Sequence, residues 1–214
     1  MALEDFKNDY IELDPAAYIN ADTANTRVDF VNMITNAEIY FSKDFGAAHF
    51  GNYTHFIEFY LDAAPGSSAS LCGYAVAGDL EGIGPQLDAF QVHWQGESAP
   101  VTQRIYIQDP SDESDDHYNG ALDTLYYLKV IRNGTTWSVE IYTGGKEDTL
   151  VDTIATTGTA TAFRYIQAGQ NNNTGGSNRD ITGYMQNLDL QEAAPGGTDS
   201  TVLLQHMARL RRSA

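Results

Sequence analysis

Positive charge is scarce in this 214-residue chain: 12 Lys and Arg stand against 29 Asp and Glu, for a formal net charge of -17. A field of that sign repels phosphate and anionic lipid, which excludes nucleic acid and membrane surfaces as non-specific partners. It also keeps crowded copies apart in solution. Cysteine is nearly absent. Cys72, alone inside "SASLCGYAVAG", excludes an internal disulfide and a thiolate metal cluster, and reads as a small buried strand residue. No apolar run approaches the roughly 18 residues that mark a membrane span. The opening "MALEDFKNDY" has neither a basic nor an apolar leader region, so the expectation is cytoplasmic synthesis without a signal peptide. Phosphate-loop, H-E-x-x-H and G-x-S-x-G signatures are missing too.

Aromatics, by contrast, are plentiful, with 13 Tyr and 9 Phe, and Thr is frequent; these side chains suit half-buried pleated surfaces. Strands are expected at 10–13, 27–31, 38–42, 54–61, 70–77, 89–95, 104–108, 150–156, 163–169 and 181–190. A further pair in "DTLYYLKVIRNGTTWSVEIYTGG" hinges on Asn133-Gly134. In "THFIEFYL", His55, Ile57, Phe59 and Leu61 form the core face, while Phe56, Glu58 and Tyr60 point the other way. In "TWSVEIY" the same alternation separates Trp137, Val139 and Ile141 from Ser138, Glu140 and Tyr142. No helical stripe precedes residue 198, which excludes a parallel α/β fold. Segments such as "DPSDESDDHYNG" and "GQNNNTGGSNRD" read as loops.

The chain divides into a β-sandwich over 1–192, a Pro/Gly linker over 193–200 and a C-terminal basic segment over 201–214. In that segment Val202, Leu203, Met207 and Leu210 form one apolar helical face, and Arg209, Arg211 and Arg212 suit the helix C-terminus. A helix so short is stable only when docked. It is therefore assigned to assembly, with copies of this chain or with other proteins.

Candidate chemistry is sparse. The strand carboxylates Glu38, Glu58 and Glu140 have tyrosines, not acids, two residues on, so the paired acids of a glycosidase are not expected. His93, between Val92 and Trp94, reads as a satisfied strand imidazole. The expectation is a non-enzymatic protein with no catalytic residues. Calcium is the one candidate cofactor, at Asp109, Asp112, Glu113, Asp115 and Asp116, because a hard cation wants several oxygens. Trp94, Tyr106, Tyr118, Tyr142 and Tyr165 are the candidate aromatics for stacking on a glycan.

The stretches "EIYFSKDFGAAHFGNYTHFIEFYLDAA", "TLYYLKVIRNGTTWSVEIYT", "FRYIQAGQNNN" and "GYMQNLDL" resemble concanavalin A-like (laminin-G-like) jelly-roll domains of the kind found in tailed-phage structural proteins. The resemblance implies an all-β, two-sheet antiparallel sandwich followed by a short C-terminal helical tail. It also implies a place on a virion surface, as a head decoration, fibre or adhesion module, with other virion proteins as partners. A carbohydrate-binding, lectin-like module is the alternative, with surface glycans as partners, and a glycoside hydrolase or lyase comes after it.

Overall fold

The computed structural model describes residues 2–14, 17–33, 39–63, 69–79, 89–98, 101–109, 114–171 and 181–191. One turn of helix, α1 (Phe6–Asp9), comes first, capped by Asp5, whose Oδ1 accepts from the Asn8 N–H. The strands are β1 (Ile11–Leu13), β2 (Ile19–Asn20), β3 (Arg27–Met33), β4 (Tyr40–Asp44), β5 (Tyr53–Ala63), β6 (Ala69–Ala77) and β7 (Ala89–Ser98). They continue with β8 (Val101–Asp109), β9 (Ser114–Gly120), β10 (Tyr126–Asn133), β11 (Thr136–Thr143), β12 (Thr149–Thr157), β13 (Tyr165–Asn171) and β14 (Ile181–Asp189).

Two seven-stranded antiparallel sheets result. The first runs β1-β4-β13-β6-β7-β8-β9 and the second β12-β11-β10-β5-β14-β3-β2. This is the expected two-sheet jelly-roll sandwich. Three elements differ from the sequence reading: α1, β2 and β9 are additional. β9 falls in the acidic stretch read as a loop, where Tyr118 and Asp116 pair with Ile105 and Ile107 of β8. The expected helical tail and its assembly residues, Val202 through Arg212, lie outside the described residues.

Alternation sets the core. His55, Ile57, Phe59 and Leu61 are buried on β5, and Trp137, Val139 and Ile141 on β11, as period-two geometry requires. Phe59 stacks on Trp94 across the sheets with ring centroids 6.4 Å apart. Gly73 makes room for that contact: a Cβ there would lie 1.5 Å from Phe59 Cζ. The ladder between β6 and β7 shifts at this point, between Cys72 and Tyr74.

A buried cation closes one end of the sandwich. Arg132 is 2% exposed and donates to the carbonyls of Phe50, Thr159 and Thr161, with its guanidinium 4.5 Å from the Phe163 ring centroid. Phe50 and Phe163 are themselves bridged backbone to backbone. One side chain therefore ties β10 to the chain on either side of that bridge. Nearby, His55 Nδ1 meets the Tyr74 hydroxyl at 2.5 Å, and its ring lies flat against Tyr53, 4.2 Å between centroids. Burial pushes the His55 pKa down to about 3; the Asp189 charge pulls it up and His49 adds to the depression.

Replacing Arg132 with Met orphans three carbonyls, so the unfolding free energy should fall by about 3–5 kcal/mol in denaturant titrations. His55 supplies a pH test. Between its folded value of about 3 and the ordinary histidine value near 6.5, the unfolded chain binds a proton that the folded chain refuses. Stability therefore falls on acidification through that window, by about 1.4 kcal/mol per pH unit from this group. In His55→Gln the slope of unfolding free energy against pH between 6 and 4 should be shallower by one proton.

Candidate functional site

The first sheet has a core face and an outer face, and β7 shows the division most clearly. Phe90, Val92 and Trp94 enter the core, so Gln91 and His93 project from the opposite side. Residues directly opposite on neighbouring strands share a face. Register therefore places Ser42 of β4, Gln167 of β13, Ala75 of β6, Gln91 and Gln108 of β8 in one row across the sheet. Cys72, His93, Tyr106 and His117 form the next row.

The centre of this face is polar, uncharged and buried: Ser42, Gln167, Gln91 and His93 are each no more than 3% exposed. Around it Tyr40, Tyr165, Arg104, Tyr106 and Gln108 stay half-buried and keep contact with solvent. On β6 the small side chains of Ala75 and Ala77 lie between β13 and β7, each 0% exposed.

His93 is held on two sides. Its Nε2 lies 2.7 Å from Gln91 Oε1, and the Tyr106 ring stacks on the imidazole at 4.7 Å and 15°. With the amide oxygen as acceptor, Nε2 carries the proton and the basic lone pair is on Nδ1. Burial pushes the His93 pKa down to about 3, so the ring is neutral at ordinary pH. Burial pushes the neighbouring Cys72 thiol the other way, up to about 12, and its Sγ donates to the Tyr74 carbonyl. Cys72 is therefore a thiol, not a nucleophilic thiolate.

Among the described strand side chains of this face the carboxylate is Asp44, at the rim. Arg164 grips it in a two-pronged contact of 2.7 and 2.6 Å, and its guanidinium also lies over Tyr165. That grip, with the Gly46 N–H, holds the Asp44 carboxyl down at about 2. Among its described side chains the face thus offers a neutral imidazole, a phenol, amides and a guanidinium, and no central acid pair.

The five candidate aromatics do not converge. Trp94 is a correction to the expectation of an exposed ring: it is 1% exposed in the core, and its Nε1 donates to Gln103 Oε1 at 2.7 Å. Tyr118 packs against the core, edge-on to Tyr126. Tyr106 and Tyr165 share the polar face, while Tyr142 lies on the outer face of the second sheet and donates to Glu140. Of the calcium candidates, Asp109 ends β8, and Asp115 and Asp116 belong to β9. Asp116 accepts from the N–H groups of His117 and Ala155. Asp112 and Glu113 lie outside the described residues. Among the described residues no group of three or more His, Cys, Asp or Glu side chains is placed to hold a metal. The sequence reading passed over Gln91 and took His93 for a satisfied strand imidazole, and the imidazole is indeed hydrogen-bonded to Gln91 and stacked on Tyr106. Their signal was present as Q-x-H on the non-core side of an F-x-V-x-W strand.

No family model and no curated protein sequence matches this chain. Solved structures do match in shape. The alginate lyase from Klebsiella pneumoniae superposes with a TM-score of 0.54 at 8% identity, over 85% of this chain and 86% of that one. The xylan β-1,4-xylosidase from Bacillus halodurans C-125 gives 0.54 at 12% identity, over 86% of this chain and 38% of that one. The winged bean acidic lectin, complexed with methyl-α-D-galactose, gives 0.51 at 9% identity, over 87% and 96%. At such identities the likeness is one of fold: a concanavalin A-like jelly-roll sandwich. It corrects the expectation of a non-enzymatic virion protein. These three structures are two carbohydrate-active enzymes and a lectin, with no virion component among them.

Proposed function

We propose that this protein binds a uronate-bearing polysaccharide across the outer face of the first sheet and cleaves it by β-elimination. The observation that carries the reading is the neutral imidazole of His93, fixed by Gln91 and stacked under Tyr106, on a face whose centre holds amides in place of acids. Hydrolysis of a glycoside calls for two carboxyl groups astride the scissile bond. Elimination from a uronate has different needs. A base takes the proton on the carbon α to the carboxyl, hydrogen-bond donors quiet the carboxylate charge, and an acid delivers a proton to the departing glycosidic oxygen.

Each need has a residue. The His93 imidazole is the base. The amides of Gln91 and Gln167, with the Arg104 guanidinium beyond them on β8, are the donors for the carboxylate. The Tyr106 hydroxyl is the acid. The carbon–hydrogen electron pair becomes a double bond toward the β carbon, the bond from that carbon to the bridging oxygen breaks, and Tyr106 protonates the oxygen. Burial strengthens these interactions by keeping water from the reacting groups. The alginate lyase and the galactoside-bound lectin support the reading as proteins of this fold whose names join it to uronate cleavage and to sugar binding.

Incubation with a panel of polyuronates should release unsaturated oligosaccharides, seen as rising ultraviolet absorbance. His93→Ala should reduce the rate by about 100-fold or more at temperatures well below its unfolding midpoint, which the loss of a buried, stacked ring lowers. Binding without any product from any polyuronate would reduce the protein to a lectin. Because His93 is neutral down to about pH 3, the rate should show no histidine limb near pH 6.5 on the acid side. The net charge of -17 repels a polyanion at long range, so KM should fall a few-fold as salt screens that repulsion.

A further inference from the structure

We infer that the outer face of the second sheet is a separate binding surface for a neutral polysaccharide, on the opposite side of the sandwich from His93. The alternation that buries His55, Ile57 and Phe59 on β5 turns Phe56, Glu58 and Tyr60 outward, and β14 contributes Tyr184 and Gln186 directly beside them. Two hollows indent this face. The larger, of about 330 Å³, is lined by Tyr60, Tyr184, Arg27, Asp29, Val31 and Asp62 among others, at the lower end of the range for small-ligand clefts. The smaller, of about 170 Å³, is lined by Phe56, Glu58, Tyr127, Lys146, Asn187 and Asp189 among others. Tyr60 and Glu58 lie two residues apart on β5, on the order of 7 Å, so the hollows adjoin and one extended chain of sugars reaches both.

The chemistry of this surface differs from that of the His93 face. Tyr60 and Tyr184 stack with centroids 5.0 Å apart, and the Arg27 guanidinium caps Tyr184 at 3.7 Å. The stack forms a ridge beside Val31, which is 41% exposed, with Tyr184 held between Tyr60 and the Arg27 guanidinium. Carboxylates surround the ridge. Asp29 pairs with Arg27 at 2.5 Å and also accepts from the Thr23 hydroxyl; Asp123 accepts from the Tyr60 hydroxyl; Asp62 is exposed. In the smaller hollow Lys146 lies over the Phe56 ring at 3.7 Å and pairs with Asp189 at 3.1 Å, while Gln186 and Asn187 donate to the two oxygens of Glu58.

Aromatic carbon takes the C–H faces of a sugar ring, and carboxylates accept from its hydroxyls. The cations here, Arg27 and Lys146, are each committed to a carboxylate, and acids outnumber them around both hollows. A polyuronate meets repulsion on this face; a neutral glycan meets donors' partners and apolar ridges. The surface therefore selects polymers without charge.

The test is affinity electrophoresis of the full chain through gels containing soluble xylan, mixed-linkage glucan, galactomannan or alginate. Wild type should be retarded by at least one neutral polymer. Tyr60→Ala with Tyr184→Ala should raise the apparent Kd for that polymer by about ten-fold or more, and His93→Ala should leave it unchanged. Asp62→Asn, at an exposed position where folding is not at stake, should weaken retardation in the same gels. Retardation by none of the neutral polymers overturns the inference. So does a loss produced equally by His93→Ala, retention of binding in both the tyrosine and the Asp62 variants, or an alginate response that depends on Tyr60 and Tyr184. Failure of the lyase assay leaves this outcome untouched, since the two readouts use different residues and different polymers.

Discussion

The two-residue period of an extended strand governs this molecule. Each long strand sends one set of side chains between the sheets and the other set away, and no strand can change that division without a bulge. On β7 the inward set is Phe90, Val92 and Trp94, bulky enough to anchor the strand in a single register against Phe59 and Trp137. Gln91 and His93 are then placed to within the precision of the core itself. A site built on a central strand inherits the rigidity of the packing beneath it, which loops at the sandwich rim do not share.

Two histidines show how position decides what a buried imidazole does. His55 and His93 are each 1% exposed, and burial pushes both pKa values to about 3. His55 sits on the core face among Tyr53, Tyr74 and Phe50, where its nitrogen serves the Tyr74 hydroxyl and its ring fills space. His93 sits on the outer face, with an amide behind it and a half-buried tyrosine over it. The same desolvation is a packing cost in the first case. In the second it holds neutral a ring that stands beside amides and a phenol on the outer face. The shift alone does not separate the two; the sheet face does.

Most of the sandwich was legible in the sequence because the aromatic and β-branched residues recur at strand spacing, and the inward sets on β5 and β11 follow directly from it. β9 was not legible, since "SDDHYNG" has the composition of a solvated loop. Its strand character comes from pairing with β8, from Asp109 opposite Ser114 out to Gln103 opposite Gly120, which single-residue propensity does not register. The same gap misassigned Trp94. Its exposure was inferred from being aromatic near polar loops, whereas the alternation already in "AFQVHWQ" puts Trp94 with Val92 and Phe90. Read consistently, that alternation also delivers Gln91 and His93 as a pair. What no single strand reveals is that Tyr106 lies over His93 and that Gln167 joins the row of Gln91, because both contacts depend on strand order.

Strand order also explains why one acidic protein can present two faces of unlike chemistry. The first sheet collects glutamines, a serine and small alanines at its centre, so the described centre of the face is uncharged and buried. The second collects tyrosines with carboxylates, each cation already spoken for. A bare carboxylate on a ligand is tolerated where amides and a guanidinium can donate to it, and is repelled where fixed carboxylates stand. The excess of 29 acidic over 12 basic residues therefore does not set one preference for the whole molecule. It sets the background against which the buried, uncharged centre of one face stands out. The opposite face carries stacked tyrosines among carboxylates, and the same alternation of side chains that builds the core keeps the two apart.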